Sequence, residues 1–131
     1  MSTISGSCNC GAIKVTIPRP QNSVLCHCTS CRKSGGTIYS TNLVTDPKDL
    51  NVEGAPSQYR ATGFSGHDVV RNFCGKCGSP VFTTIADPSQ VFVKAGLFEP
   101  GQIPKAAAEL FSKNMEEWES VHEGAARVEN Q

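Results

Sequence analysis

The stretch Cys74-Gly75-Lys76-Cys77-Gly78-Ser79-Pro80 decides how this chain is read. Zinc takes thiolates at about 2.3 Å, so two sulfurs this close in sequence must turn to the same side to share one ion. Gly75 and Gly78 permit the positive φ that such a turn needs. Thioredoxin-like redox pairs share the C-x-x-C spacing, but they head a helix in a βαβ setting. Here the turn leads into Val81-Phe82-Thr83-Thr84-Ile85, which has the composition of a strand. The context favours a zinc knuckle over a redox pair.

The chain holds seven Cys, and all fall in tight groups. Cys8-Asn9-Cys10-Gly11 precedes the alternating strand pattern Ile13–Ile17. On extended chain, Cys8 and Cys10 would share one face. A four-thiolate structural site needs two further ligands, and Cys74 and Cys77 supply them. The expected structural zinc therefore has Cys8, Cys10, Cys74 and Cys77 as ligands.

The group Cys26-His27-Cys28-Thr29-Ser30-Cys31 is left over. Three thiolates without an evident fourth ligand form the pattern of an open zinc site, whose last position takes water or substrate. Two alternatives stand beside it. One is a closed Cys₃His site completed by His27 or His67. The other is a metal-free thiol or redox cluster. On extended chain His27 would point away from its Cys neighbours. Three thiolates outweigh the ion's charge, so an open site would acidify water poorly and suit a fourth sulfur. Arg32 and Lys33 could offset that negative charge or pair a substrate carboxylate, or be ordinary surface cations. Ser34-Gly35-Gly36-Thr37 could turn backbone N–H groups toward a carboxylate or thiolate, or simply form a loop.

Composition sets the bounds. The chain has 131 residues, fitting one domain, with only 38% hydrophobic and 18% charged residues. So thin an apolar supply needs help from metal. Twelve basic and twelve acidic side chains cancel, which argues against a nucleic-acid or anionic-membrane binder. No apolar run approaches a membrane span. Met1–Ile4 shows no signal-peptide pattern. A reducing, cytoplasmic setting is expected, where clustered Cys read as metal ligands or redox groups.

Strand patterns cover Ile13–Ile17, Thr37–Val44, Asp68–Phe73, Val81–Ile85 and Gln90–Ala95, with Ser23–Leu25 a further candidate. Ser30–Ser34 reads as one helical turn. Asp46 before Pro47 reads as an N-cap. From Glu109 onward there are six Glu against Lys113 and Arg127. The tail at 123–131 is expected to fray. Phe64, Tyr59 and Trp118 are candidate pocket walls, though aromatic residues more often serve a core. Glu53, Tyr59, His67 and Arg71 are further polar candidates.

Three blocks together resemble the glutathione-dependent formaldehyde-activating enzyme family, also called the CENP-V/GFA domain. They are Gly6-Ser7-Cys8-Asn9-Cys10-Gly11-Ala12-Ile13, Cys26-His27-Cys28-Thr29-Ser30-Cys31-Arg32-Lys33 and Phe73-Cys74-Gly75-Lys76-Cys77-Gly78-Ser79-Pro80. The resemblance covers residues 3–122 and implies one domain with a mainly β, β-tent fold of short antiparallel strands held by zinc. It implies two zinc ions: a structural one at Cys8, Cys10, Cys74 and Cys77, and a catalytic one at Cys26, Cys28 and Cys31. It implies carbon–sulfur lyase chemistry on glutathione or a related thiol adduct, a small-molecule partner. The alternative is a non-catalytic, zinc-scaffolded binding module. The family commonly shows a polar or basic stretch before a C-terminal Trp. Here Met115, Glu116 and Glu117 precede Trp118. In the Pro104–Phe111 region, helix propensity competes with the extended segment that the resemblance implies.

Overall fold

The computed structural model describes residues 2–63 and 66–130. It is mainly β. Strands β1 (Thr3–Ser7), β2 (Lys14–Pro18) and β5 (Asn51–Glu53) form a three-stranded antiparallel sheet in the order β1-β2-β5. The larger sheet contains β3 (Ser23–Cys26), β4 (Ser40–Thr45), β6 (Ser57–Thr62), β7 (Asp68–Phe73), β8 (Pro80–Thr84), β9 (Val91–Lys94), β10 (Ala106–Leu110) and β11 (Ala126–Val128). Its order is β11-β10-β3-β4-β9-β8-β7-β6.

Alternating side chains join the two sheets. Val15 and Ile17 of β2 point inward, as do Val91 and Val93 of β9. With Ile4, Leu43, Val81 and Phe98 they form one core, and Cys8 and Cys74 sit at its edge. The small core and the Cys8–Cys74 neighbourhood are therefore continuous.

The sheet is not antiparallel throughout, as the resemblance had implied. β10 runs parallel to both β3 and β11. A parallel pair cannot close through a tight turn and needs a crossover of a dozen or more residues. Residues 111–125 provide it between β10 and β11. Nor does the end of the chain fray as expected after Glu123. β11 pairs with β10, and Phe111 N–H donates to Asn130 O at 3.0 Å. The acidic segment is thus a return path, and it contacts His27 and Arg32 beside the second Cys group. Residues 106–110 form a strand rather than the helix their alanines favour, because both edges of β10 are paired.

The helical turn expected at Ser30–Ser34 is helix α1 (Thr29–Gly35). Asp46 accepts from Lys48 N–H at 3.0 Å and caps a single 3-10 turn at Pro47–Asp49. No helix among the described residues is long and apolar enough to cross a membrane.

Candidate metal centres and the cavity beside them

Cys8, Cys10, Cys74 and Cys77 bring their sulfurs within 4.8 Å of one another. Cys8 Sγ and Cys10 Sγ are 3.8 Å apart, and Cys10 Sγ and Cys74 Sγ are 3.7 Å apart. Four thiolates at about 2.3 Å from a tetrahedral ion would be about 3.8 Å apart. No disulfide is formed, so the sulfurs are spaced for a metal they could share.

Two turns build this group. Cys8 to Gly11 is not extended, as expected from the sequence, but a hydrogen-bonded turn: Gly11 N–H donates to Cys8 O at 3.1 Å. Ile13 N–H also donates to Cys8 Sγ at 3.3 Å. At the knuckle, Gly78 N–H donates to Cys74 O at 2.8 Å, and Gly78 has a φ of 80°. Gly75 serves differently from the positive-φ role expected of it. A Cβ there would lie 2.5 Å from Ser57 Oγ, so a side chain would force that hydroxyl to turn aside. The Ser79 hydroxyl and N–H bring the Cys77 thiol down to about 5, favouring the thiolate that metals bind.

Cys26, Cys28 and Cys31 form the second group, again with sulfurs within 4.8 Å. Cys26 ends β3, Cys28 caps α1, and Cys31 lies in the first turn of that helix. Cys31 N–H donates to Cys28 Sγ at 3.2 Å. Hydrogen bonds from the Cys26 and Cys28 thiols lower the Cys31 thiol pKa, while the contacts of Cys26 with Cys28 and Cys31 raise that of Cys26. Among the described residues no His, Asp or Glu joins the group. His27 does point away, as extended backbone requires. It is fully buried, with Nε2 2.8 Å from Glu109 Oε1. His67 is exposed on the loop before β7.

Cys31 lines a cavity of about 350 Å³. Seven of its fourteen lining residues carry hydroxyls, among them Ser7, Thr37, Tyr39, Ser40 and Ser79. Lys94, half-buried at the end of β9, is the one charged lining residue among those described. Its Nζ donates to Asn42 Oδ1 at 2.7 Å. Burial lowers its pKa, against the pull of the Cys31 thiolate. Arg71 donates to Ser30 Oγ at 2.7 Å and faces Cys31 Sγ at 4.0 Å.

The other sequence candidates lie as follows. Ser34 and Gly35 line the cavity with Cys31. Gly36 caps α1 in the left-handed region, and Lys33 is exposed. Arg32 turns to the C-terminal return, donating to Asn114 O at 3.1 Å and Glu116 Oε2 at 2.9 Å. Tyr59, Trp118 and Glu53 are exposed away from the cavity lining. Phe64 lies outside the described residues. Lys94, Tyr39 and Ser40 carried no local signal, because β4 and β9 reach the site only through sheet pairing.

Fold and site together define a mainly β protein with two cysteine groups that could hold metal ions. A family described as Glutathione-dependent formaldehyde-activating enzyme matches residues 3–114, and the chain belongs to that family. A Halomonas elongata protein named as a candidate glutathione-dependent formaldehyde-activating enzyme is 38% identical over 92 residues. That match covers 65% of this chain and 57% of the relative, so the chain spans little more than half of the relative's length. A crystal structure of a Rhodobacter sphaeroides protein shares the fold, with a TM-score of 0.60 at 22% identity. The alignment covers 79% of this chain and all of that one.

Proposed function

We propose that this chain is a zinc enzyme that makes or breaks a carbon–sulfur bond in adducts of glutathione, or a related small thiol, with a small electrophile. The observation that carries the reading is the three-sulfur group with Cys31 on the cavity wall and no fourth protein ligand among the described residues. Zinc bound there would supply a soft position for a fourth sulfur. Cys8, Cys10, Cys74 and Cys77 would hold a second, structural zinc, closed by four thiolates.

The chain's own residues supply the rest. The hydroxyl-rich wall suits a polar, peptide-like thiol. Lys94 and Arg71 bring positive charge to the Cys31 side of the cavity. In addition of a thiol sulfur to a carbonyl, the S–C bond forms as the C=O π pair moves to oxygen. The Lys94 ammonium would stabilise that oxygen and then protonate it, and the proton released from the thiol would restore the ammonium. The reverse sequence breaks the adduct. The chain would work in a reducing, cytoplasmic compartment, which keeps its thiols free.

Native mass spectrometry with and without glutathione tests the metal count. Two zinc ions per chain and a retained glutathione adduct are expected. Turnover of a thiol–aldehyde adduct should vanish in the double variant Cys28→Ser, Cys31→Ser. Turnover that survives both changes would overturn the enzyme reading. One zinc and no glutathione adduct would leave a zinc-scaffolded binding module.

A further inference from the structure

His27 stands between two cysteines of the second sulfur group, yet all of its polar groups but one are tied elsewhere. Its N–H donates to Leu110 O at 3.0 Å. Its carbonyl accepts from Asn114 Nδ2 at 3.2 Å. Its Nε2 lies 2.8 Å from Glu109 Oε1, and both side chains are wholly buried. All three partners come from residues 109–114. The remaining Nδ1 has no hydrogen-bond partner and lies 3.9 Å from Glu119 Oε1, also on the C-terminal return.

Glu109 is shared. Its other oxygen, Oε2, accepts from His122 N–H at 2.5 Å and lies 2.9 Å from His122 Nδ1. The Tyr39 ring, which lines the cavity, sits 5.2 Å from the His27 ring and 5.9 Å from the His122 ring. A buried carboxylate without partners would be costly, and this one is matched on both oxygens. Neighbouring side chains on extended backbone point to opposite sides. Fixing His27 on one side therefore fixes which way Cys26 and Cys28 present their sulfurs.

We propose that Glu109 is a positioning residue for the Cys26–Cys28–Cys31 group, holding its sulfurs convergent through His27 and tying that geometry to the C-terminal return through His122. The inference rests on the reading that this group binds a metal. It adds that a carboxylate outside the ligand set, remote in sequence, governs that binding. Hydrogen-bonded groups just outside a metal's ligands are worth roughly 10–100-fold in affinity.

Co²⁺ is the probe, because its ligand-field bands report the geometry of a thiolate site. Wild type, Glu109→Ala, Glu109→Gln and His122→Ala are loaded with Co²⁺ and titrated with a chelator. Glu109→Ala should weaken one of two binding classes by roughly 10–100-fold and shift its bands. Glu109→Gln keeps a single acceptor oxygen, which can serve His27 or the His122 N–H but not both, so partial rescue is expected. His122→Ala, at a half-exposed side chain, should fall between wild type and Glu109→Ala. The Cys8–Cys10–Cys74–Cys77 class serves as the internal control for folding and should keep its bands in every variant. Should Glu109→Ala misfold, His122→Ala and Glu109→Gln carry the decision.

Unchanged affinity and bands at the second class in all folded variants would overturn the positioning role alone. A wild-type protein that binds only one Co²⁺, with Cys28→Ser leaving the titration unchanged, would overturn the metal reading itself and the positioning role with it.

Discussion

The guanidinium of Arg32 lies 2.9 Å from the Glu116 carboxylate and 3.1 Å from the Asn114 carbonyl. The cation next to Cys31 in sequence is thus engaged by the chain's own C-terminal return. The acidic stretch before Trp118 supplies its partner. Arg32→Gln should leave the KM for an anionic thiol adduct within about twofold. The pair is partly exposed, so its loss should cost only about 0.5 kcal/mol. Steady-state kinetics and a thermal melt measure both, and a tenfold rise in KM would return Arg32 to substrate binding.

Lys94 differs, because no carboxylate pairs with it among the described salt bridges and it lines the cavity. Lys94→Met should lower kcat by about 10²–10³, the usual loss when one group stabilising a developing oxyanion is removed. Lys94→Arg should keep part of the rate by keeping the charge. Zinc content, measured alongside by mass spectrometry, should not change in either. Equal kcat in wild type and Lys94→Met would remove Lys94 from the chemistry.

The Cys8–Cys10–Cys74–Cys77 group joins the start of the chain to the turn before β8 at the edge of the core. Structural zinc contributes on the order of 10 kcal/mol to folding. Cys74→Ser, or exhaustive chelation of wild type, should abolish cooperative thermal unfolding. Calorimetry reads this directly. An undiminished transition in the metal-free protein would show that the apolar core suffices alone.

Glu109 predicts a dependence on acid. Burial raises its carboxyl pKa, but the His122 N–H and the His122 and His27 rings outweigh burial and hold it below the ordinary value. A carboxylate lowered on folding stabilises fully above its unfolded pKa, about 4.3. That stabilisation is lost as pH falls through the folded value. The gap in Tm between wild type and Glu109→Gln should therefore be widest above about pH 4.3 and shrink below it. Metal content is measured at each pH in both proteins, so that earlier acid loss of metal from the weaker-binding variant is separated from the titration of Glu109. Parallel Tm curves across that range would contradict the assignment.

Cysteine spacing and strand alternation made much of the fold legible. Val15 and Ile17, or Val91 and Val93, declare their buried face by period two alone. Asp46-Pro47 declared its cap. β1, β5 and β6 escaped notice. Gly6 interrupts β1, β5 is only three residues long, and Ser57–Thr62 is largely exposed and has no apolar face. β11 was missed for a different reason: Ala126–Val128 becomes a strand only because β10 offers an edge.

By itself the sequence determined which sulfurs could be neighbours. Chelating turns are local, set by a few bonds and by Gly78. Family, strand pattern and the Cys groups followed from that local code. Only the tertiary structure decided what surrounds the sulfurs. Lys94 reaches Cys31 through the pairing of β9 with β4 and of β4 with β3. Glu109 meets His27 across 82 positions of chain. Contacts at such separation arise from sheet register and burial, and leave no periodic trace near either residue.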